Sequence, residues 1–441
     1  MEARTDPRAG ARGRAALLLR EVLDRGRPLD AALEEDTDLA ALDARDRAFA
    51  RLLVATVLRR LGQIDAALAT RIARPLPARA ALAQHVLRLG AAQLAYLGTP
   101  PWAAIDSAVQ LARAFGLGTQ AGLVNAVLRA LVREPPAVLA ADAPDAARRN
   151  TPDALWQRWS AAYGHATALK IATAHLAEPP LDLSARDDAA GWAERLGAAL
   201  LPTGSLRHTG GGAVTGLPGF AEGAWWVQDA AAALPARLLG AVAGKRVVDL
   251  CAAPGGKTLQ LAAAGAAVTA IDIEAARLAR VEANLARTGL AARTVRADAR
   301  TWRPEAPAEA VLLDAPCSAT GTVRRHPDIL YRKGEVAIRA MPALQDALLD
   351  AAAAMLAPGG TLVYAVCSLE PEEGPARIAA LLARNAGLRR LPVRAREVPA
   401  LAALEPSALT PEGAVRTLPC HWAERGGMDG FYIARLQRGA T

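Results

Sequence analysis

The chain has 441 residues, 52% of them hydrophobic and 22% charged, with a net charge of +8 and only four cysteines. That length holds about two or three domains, and the basic balance points equally to an anionic partner such as nucleic acid and to the plainer alternative of scattered surface arginines. No apolar stretch escapes interruption by Arg, Asp or Gly, so none reads as a membrane span. The N-terminus lacks a signal-peptide pattern, and the wide cysteine spacing makes neither a metal site nor a disulfide framework. A monomer in a reducing cytoplasm is expected.

In chain order, apolar residues recur at helical spacing over residues 14–23, 46–61, 80–97, 102–115 and 123–133, punctuated by Pro77, Pro100 and Pro101. This predicts an all-helical domain over residues 1–135, whose arginines form either a solvated face or an RNA-binding surface. Residues 136–150, rich in Ala, Asp and Pro, read as a linker. A helical stretch at 152–163 carries Trp156 and Trp159, and turn-rich sequence follows with Gly210-Gly211-Gly212 and Gly216-Leu217-Pro218-Gly219. Together these predict a small α+β connecting segment over 151–224.

From residue 225 to 441, strand–loop–helix alternation predicts an α/β Rossmann-like domain with a mostly parallel sheet. Strands are expected at 246–250, 267–271, 294–297, 310–314 and 361–366, and helices at 274–288 and 342–356. Pro358-Gly359-Gly360 reads as a helix stop and turn, and residues 430–435 as an antiparallel edge strand.

The loop Asp249-Leu250-Cys251-Ala252-Ala253-Pro254-Gly255-Gly256-Lys257-Thr258 leaves the first of these strands and opens a helix. Glycines there admit a ligand close to the backbone, and a helix N-terminus favours an anionic group. The loop matches neither the dinucleotide nor the P-loop fingerprint. The methionine carboxylate of S-adenosylmethionine suits it better, against the alternative of an ordinary tight turn. Asp272 closes the next strand about 20 residues on, where a carboxylate takes both ribose hydroxyls. Asp298 ends the third strand, placed to meet an adenine amino group. Singly, each reads as a solvated loop acid; together they support a nucleoside cofactor.

Two thiols carry the reaction chemistry. Cys317 lies in Asp314-Ala315-Pro316-Cys317-Ser318-Ala319-Thr320-Gly321 and Cys367 in Tyr364-Ala365-Val366-Cys367-Ser368-Leu369, each just past an apolar run. Ligands of open α/β sheets bind beyond the carboxyl ends of the strands, so both thiols can reach one substrate. A thiolate adding to carbon 6 of a pyrimidine turns carbon 5 into a nucleophile toward a methyl sulfonium. Asp314, three residues from Cys317, is placed to assist at ring N3. Buried structural cysteines or a redox pair are the alternatives.

These blocks resemble the bacterial Sun (Fmu-like, RsmB-like) RNA cytosine-C5 methyltransferases of small-subunit ribosomal RNA. The similarity rests on Asp249–Thr258, on Asp314–Gly321 with Arg324-Arg325-His326-Pro327-Asp328, and on Cys367 with Pro371-Glu372-Glu373. Trp226-Val227-Gln228-Asp229 resembles the family's entry motif. Residues 46–65 and 123–129 are similar to its NusB-type RNA-binding domain. The resemblance implies Cys367 as nucleophile, Cys317 in product release, and Asp314 and Lys257 beside the base. It implies S-adenosylmethionine at Cys251, Ala252, Ala253, Pro254, Gly255, Gly256, Lys257, Asp272, Asp298 and Asp314. Small-subunit ribosomal RNA is the implied partner, with no metal and no membrane. Gly374 departs from the family's usual Asn after Pro-Glu-Glu. A transfer-RNA enzyme, a DNA cytosine methyltransferase with Cys317 as nucleophile, and a non-catalytic assembly factor are competing readings.

Overall fold

The computed structural model describes residues 6–440 except 75, 78, 79, 333, 334, 405 and 406. Internal contacts divide the chain into two compact units, Met1–Ala177 with Val323–Gly334, and Glu178–Thr322 with Glu335–Thr441.

The first unit is helical. Its longer helices are Ala11–Leu23, Ala44–Arg59, Ala81–Tyr96, Pro101–Ala114 and Gly118–Arg133. Their apolar stripes close on a core that includes Leu18, Leu19, Leu53, Leu58, Ile64, Leu87, Val124 and Leu128. Local signals set the helix starts: the Asp43 carboxylate accepts from the Asp46 N–H at 2.8 Å, and Pro101 occupies a first-turn position where no N–H is needed.

Residues 136–150, read as a linker, are tied to the helical core by hydrogen bonds. The buried Gln63 donates through Nε2 to the carbonyls of Val138 (2.7 Å) and Ala140 (2.9 Å). Asn150 donates to Gln63 Oε1 (2.8 Å) and accepts from the Gln63 N–H (3.1 Å). The helices Asp153–Tyr163 and His165–Ala174 follow within this unit, with Trp159 completely buried. By internal contacts this unit runs to Ala177.

The last part of this unit comes from much later in the chain. Asp328 accepts from the Leu29 N–H (3.2 Å) and from Arg332 (2.9 Å). Arg332 donates to the Gly26 carbonyl, Tyr331 to that of Leu58, and Arg59 to that of Arg324. Ile329 and Leu330 are buried.

The second unit opens with a four-stranded antiparallel sheet of β1 (Leu181–Ala185), β2 (Ala199–Leu200), β3 (Leu206–His208) and β4 (Trp225–Val227), in the order β2-β3-β1-β4. Buried Asp182 and Arg207 join β1 to β3 by two hydrogen bonds of 2.7 Å, a bidentate geometry that offsets the desolvation of both charges.

The main sheet contains β5 (Arg246–Leu250), β6 (Ala267–Asp272), β7 (Arg293–Arg296), β8 (Ala308–Asp314), β9 (Leu356–Val366), β10 (Leu388–Arg390), β11 (Val415–Arg416) and β12 (Tyr432–Arg438). Its order is β10-β12-β9-β8-β5-β6-β7, with β11 also pairing β12. β5 to β9 run parallel, and the central strands are almost wholly apolar, as strands covered on both faces must be.

Two details differ from the sequence reading. Pro358-Gly359-Gly360 lies inside β9: pairing with β8 steps from Ala308↔Leu356 to Ala310↔Thr361, a bulge that Gly359 accommodates at φ 74°. The antiparallel β12 is also not outermost, because β10 pairs with it.

Both units yield stability predictions. Asp328→Ala leaves the Leu29 N–H and the Arg332 guanidinium without their shared buried acceptor, which costs about 1–3 kcal/mol. Scanning calorimetry should show a lower transition midpoint; an unchanged midpoint would remove Asp328 from the role. Asp249 lies on β5, fully buried. Burial pushes its carboxyl from 3.8 up to about 7, against the pull of the Thr258 hydroxyl donating at 2.6 Å. The folded state thus keeps a proton that the unfolded chain releases, so this group's contribution to stability falls as pH rises from about 4 to 7. Asp249→Asn cannot ionise, so its stability relative to wild type should climb over that window in chemical denaturation. A flat difference would mean that Asp249 is charged in the fold.

Candidate active site

The parallel strands β5, β6, β8 and β9 end together, and the loops leaving them build the site. On the β5 loop, Gly255 adopts φ 103° as the helix Gly256–Ala263 begins. A Cβ there would be strained and would lie 3.2 Å from Val281, so the glycine keeps the loop tight. The buried Asp272 at the end of β6 braces this loop. Its Oδ2 accepts from the Ala253 N–H (3.2 Å), its Oδ1 from the Glu274 N–H (3.1 Å), and Arg277 is 3.6 Å away.

Asp298 is engaged differently from expectation. Arg300 wraps it with contacts of 2.6–3.0 Å, and its own turn adds the Arg300 N–H. The Arg300 side chain holds this carboxyl below its usual range.

The β8 and β9 loops are bonded along their length. Ala315 N–H donates to Ala365 O and Gly321 N–H to Cys367 O, both at 2.9 Å. The Ser318 and Ser368 hydroxyls meet at 3.0 Å, and Thr320 Oγ1 accepts from the Leu369 N–H. Gly321 sits against Gly430 so closely that a Cβ would fall 1.9 Å from the Gly430 carbonyl oxygen. This interlock holds the Cys317 and Cys367 sulfurs 3.5 Å apart. Proximity to Cys367, reinforced by burial, pushes the Cys317 thiol well above its usual range.

Lys257 reaches from the helix after the β5 loop to Asp314 Oδ2 at 2.6 Å, over the Phe431 ring. Burial opposes its charge, but Asp314, Asp249 and Cys367 outweigh burial and raise its pKa above the ordinary value. An ammonium is therefore held against Asp314 at the strand ends. Cys251, by contrast, is pushed up to about 12 by burial and then by Asp272, so it is a wall group and not a reactive thiolate.

One cavity of about 590 Å³ joins these features: Cys251, Ala253, Asp272, Asp298, Asp314, Cys317 and Cys367 all line it. Ala252, Pro254, Gly255, Gly256 and Lys257 do not; they shape the loop and its charge from behind. Ile273, Arg277, Arg300, Leu344 and Leu348 also line the cavity and were not singled out from sequence. Only Leu344 and Leu348 carried a signal, their four-residue spacing on one helix face. The residues fit S-adenosylmethionine: a carboxylate at the β6 end for a ribose, apolar walls for a purine ring, and a glycine turn at a helix start. Among the described residues no cluster of three or more metal-ligating side chains occurs, and no described helix is long and apolar enough to cross a membrane.

Comparison with known proteins places this geometry. Residues 236–437 match the family model for the 16S rRNA methyltransferase RsmB/F, and residues 9–133 match the NusB family. Ribosomal RNA small subunit methyltransferase B of Pseudomonas putida is 38% identical over 441 residues, covering 96% of this chain and 97% of its own. The protein of the same name from Xanthomonas campestris is 40% identical over 405 residues, covering 86% and 89%. The crystal structure of PH0851 superposes with a TM-score of 0.75 at 22% identity, covering 99% of this chain and 100% of that one. The structure of NSun6 from Pyrococcus horikoshii gives 0.55 at 19%, covering 66% and 98%; both likenesses concern the fold. With full-length relatives at this level of identity, the chain belongs to the ribosomal RNA small subunit methyltransferase B (RsmB/Sun) family of RNA methyltransferases.

Proposed function

We propose that this protein transfers a methyl group from S-adenosylmethionine to carbon 5 of a cytosine in small-subunit ribosomal RNA, through a covalent bond between Cys367 and carbon 6. The observation that carries the reading is the pair of sulfurs 3.5 Å apart in the cavity that Asp272 also lines. S-adenosylmethionine, when bound, supplies an electrophilic methyl group. Everything else is work for the chain's own residues. The Cys367 thiolate adds to carbon 6, and the ring double-bond electrons make carbon 5 nucleophilic. Lys257, held on Asp314 behind the cavity wall, offsets negative charge growing on the ring through its field. After methylation the carbon-5 proton leaves to a base, the double bond re-forms, and the carbon 6–sulfur bond breaks with its electron pair returning to Cys367. Cys317, whose sulfur lies 3.5 Å from that of Cys367, is placed to assist this release.

The helical unit, matched by the NusB family, is the RNA-docking part in this reading, with arginine–phosphate contacts as its chemistry; the enzyme then works in the cytoplasm, where its substrate is made. Comparing methyl transfer to ribosomal RNA, transfer RNA and DNA tests the substrate. Transfer to ribosomal RNA alone supports the proposal, and preference for either other polymer overturns it.

Two substitutions probe the site. Asp272→Ala removes a charged acceptor for ribose hydroxyls, a loss of about 1.5–3 kcal/mol, so calorimetry should show S-adenosylmethionine binding weakened about ten- to a hundredfold. Full affinity in a variant with native circular dichroism would refute the assignment. Cys367→Ala should abolish both turnover and covalent complex. Cys317→Ala should instead leave methylated RNA bonded to the protein through denaturing electrophoresis. Trapping by Cys367→Ala in place of Cys317→Ala would exchange the two roles.

A further inference from the structure

The loop that carries Cys317 is gripped from beneath by two buried side chains that the reaction scheme does not use. Glu373 and Gln345 are both fully buried. Glu373 Oε2 accepts from the Ser318 N–H at 2.9 Å. Gln345 Nε2 donates to the Pro316 carbonyl at 3.0 Å and lies 3.4 Å from the same Glu373 oxygen. The peptide carbonyl before Cys317 and the peptide N–H after it are thus held by one carboxylate–amide pair. Gln345 comes from the helix Glu335–Met355 and Glu373 from the turn beyond Cys367.

Glu373 is itself fixed. Its backbone carbonyl accepts from the Tyr364 hydroxyl at 2.7 Å, and its N–H donates to the Glu370 carbonyl. Burial pushes its carboxyl up, while hydrogen bonds from Ser318, Gln345 and Ser368 pull it back. The nucleophile's loop has a separate anchor, since Arg416 donates to the Ser368 carbonyl. Glu373 also meets the Ser368 side chain on that loop, but the peptide groups that the pair holds, Pro316 C=O and Ser318 N–H, are the two that flank Cys317. Burying a carboxylate costs free energy wherever it is not needed for geometry or chemistry, and here the geometry it sets is that of one thiol.

We propose that Glu373 and Gln345 are positioning residues for Cys317, a buried brace that keeps its thiol against the Cys367 sulfur so that the covalent RNA adduct is released. The proposal rests on the covalent reading above. It predicts that loosening the brace impairs release and spares the earlier steps. A misplaced catalytic group costs on the order of tenfold or more in rate even when all reacting atoms are present.

The test uses full-length Glu373→Ala, Gln345→Ala and Glu373→Gln beside Cys317→Ala, with ribosomal RNA and S-adenosylmethionine. Three quantities are read: turnover, methylated RNA bonded to protein under denaturing electrophoresis, and cofactor affinity by calorimetry. Glu373→Ala and Gln345→Ala should accumulate methylated adduct on the order of tenfold above wild type, with cofactor affinity unchanged. Glu373→Gln keeps an oxygen acceptor for the Ser318 N–H and should return toward wild type. Slower turnover without adduct, or wild-type behaviour in both alanine variants, overturns the brace. Gln345→Ala removes only a neutral amide, so it decides the matter if Glu373→Ala fails to fold. Failure of Cys317→Ala to trap RNA would overturn the covalent reading itself. Trapping by Cys317→Ala alone would overturn only the brace.

Discussion

The site depends on the parallel pairing of β8 with β9. Asp314 is opposite Ala365 in that ladder, and the loops beyond stay aligned through peptide and hydroxyl bonds, so that Cys317 faces Cys367 and Ser318 faces Ser368. Slipping a strand by one residue would turn every side chain to the other face of the sheet and separate the sulfurs. Apolar residues set that register, among them Val311, Leu312, Leu313, Leu362, Val363 and Tyr364, all fully buried. A hydrophobic ladder with no chemistry of its own thus decides where two reactive atoms meet.

Charge is distributed around this ladder so that each buried ion has a counterpart. Lys257 answers Asp314, Asp272 takes two backbone donors, and Asp249 beneath them is held close to neutral. Unpaired charges at such depth would cost several kcal/mol each. Arg277 adds a second cation 3.6 Å from Asp272. In a chain where arginine dominates, this loop carries a lysine, whose compact ammonium is a point charge held on Asp314.

Much of this architecture was readable from sequence because its signals are local. Parallel strands buried on both faces are continuous apolar runs, and the turn at Gly255 needs a glycine because its positive φ strains any residue that carries a Cβ. The thiols stood out because each follows such a run. What stayed hidden depends on distant polar partners without periodicity. Gln63 fixes residues 136–150 through hydrogen bonds that span 75 to 87 residues, and Arg300 covers Asp298 through a turn that composition does not mark. The bulge in β9 turned an apparent helix stop into strand. Gly374 also became intelligible only in three dimensions. A Cβ there would lie 2.9 Å from both Arg416 Nη2 and the Tyr432 ring, so those side chains occupy the room that a larger residue would need.

Membership of Val323–Gly334 in the helical unit sets an order of events during protein synthesis. The Leu29 amide and the Gly26 carbonyl find their partners 299 and 306 residues downstream. At typical elongation rates, the N-terminal helices wait on the order of 15–60 s on the ribosome before the segment that completes them is made. Throughout that interval the surface reserved for Ile329 and Leu330 lacks its cover. Completion of the helical unit is therefore timed by translation of the sequence that follows the Cys317 loop.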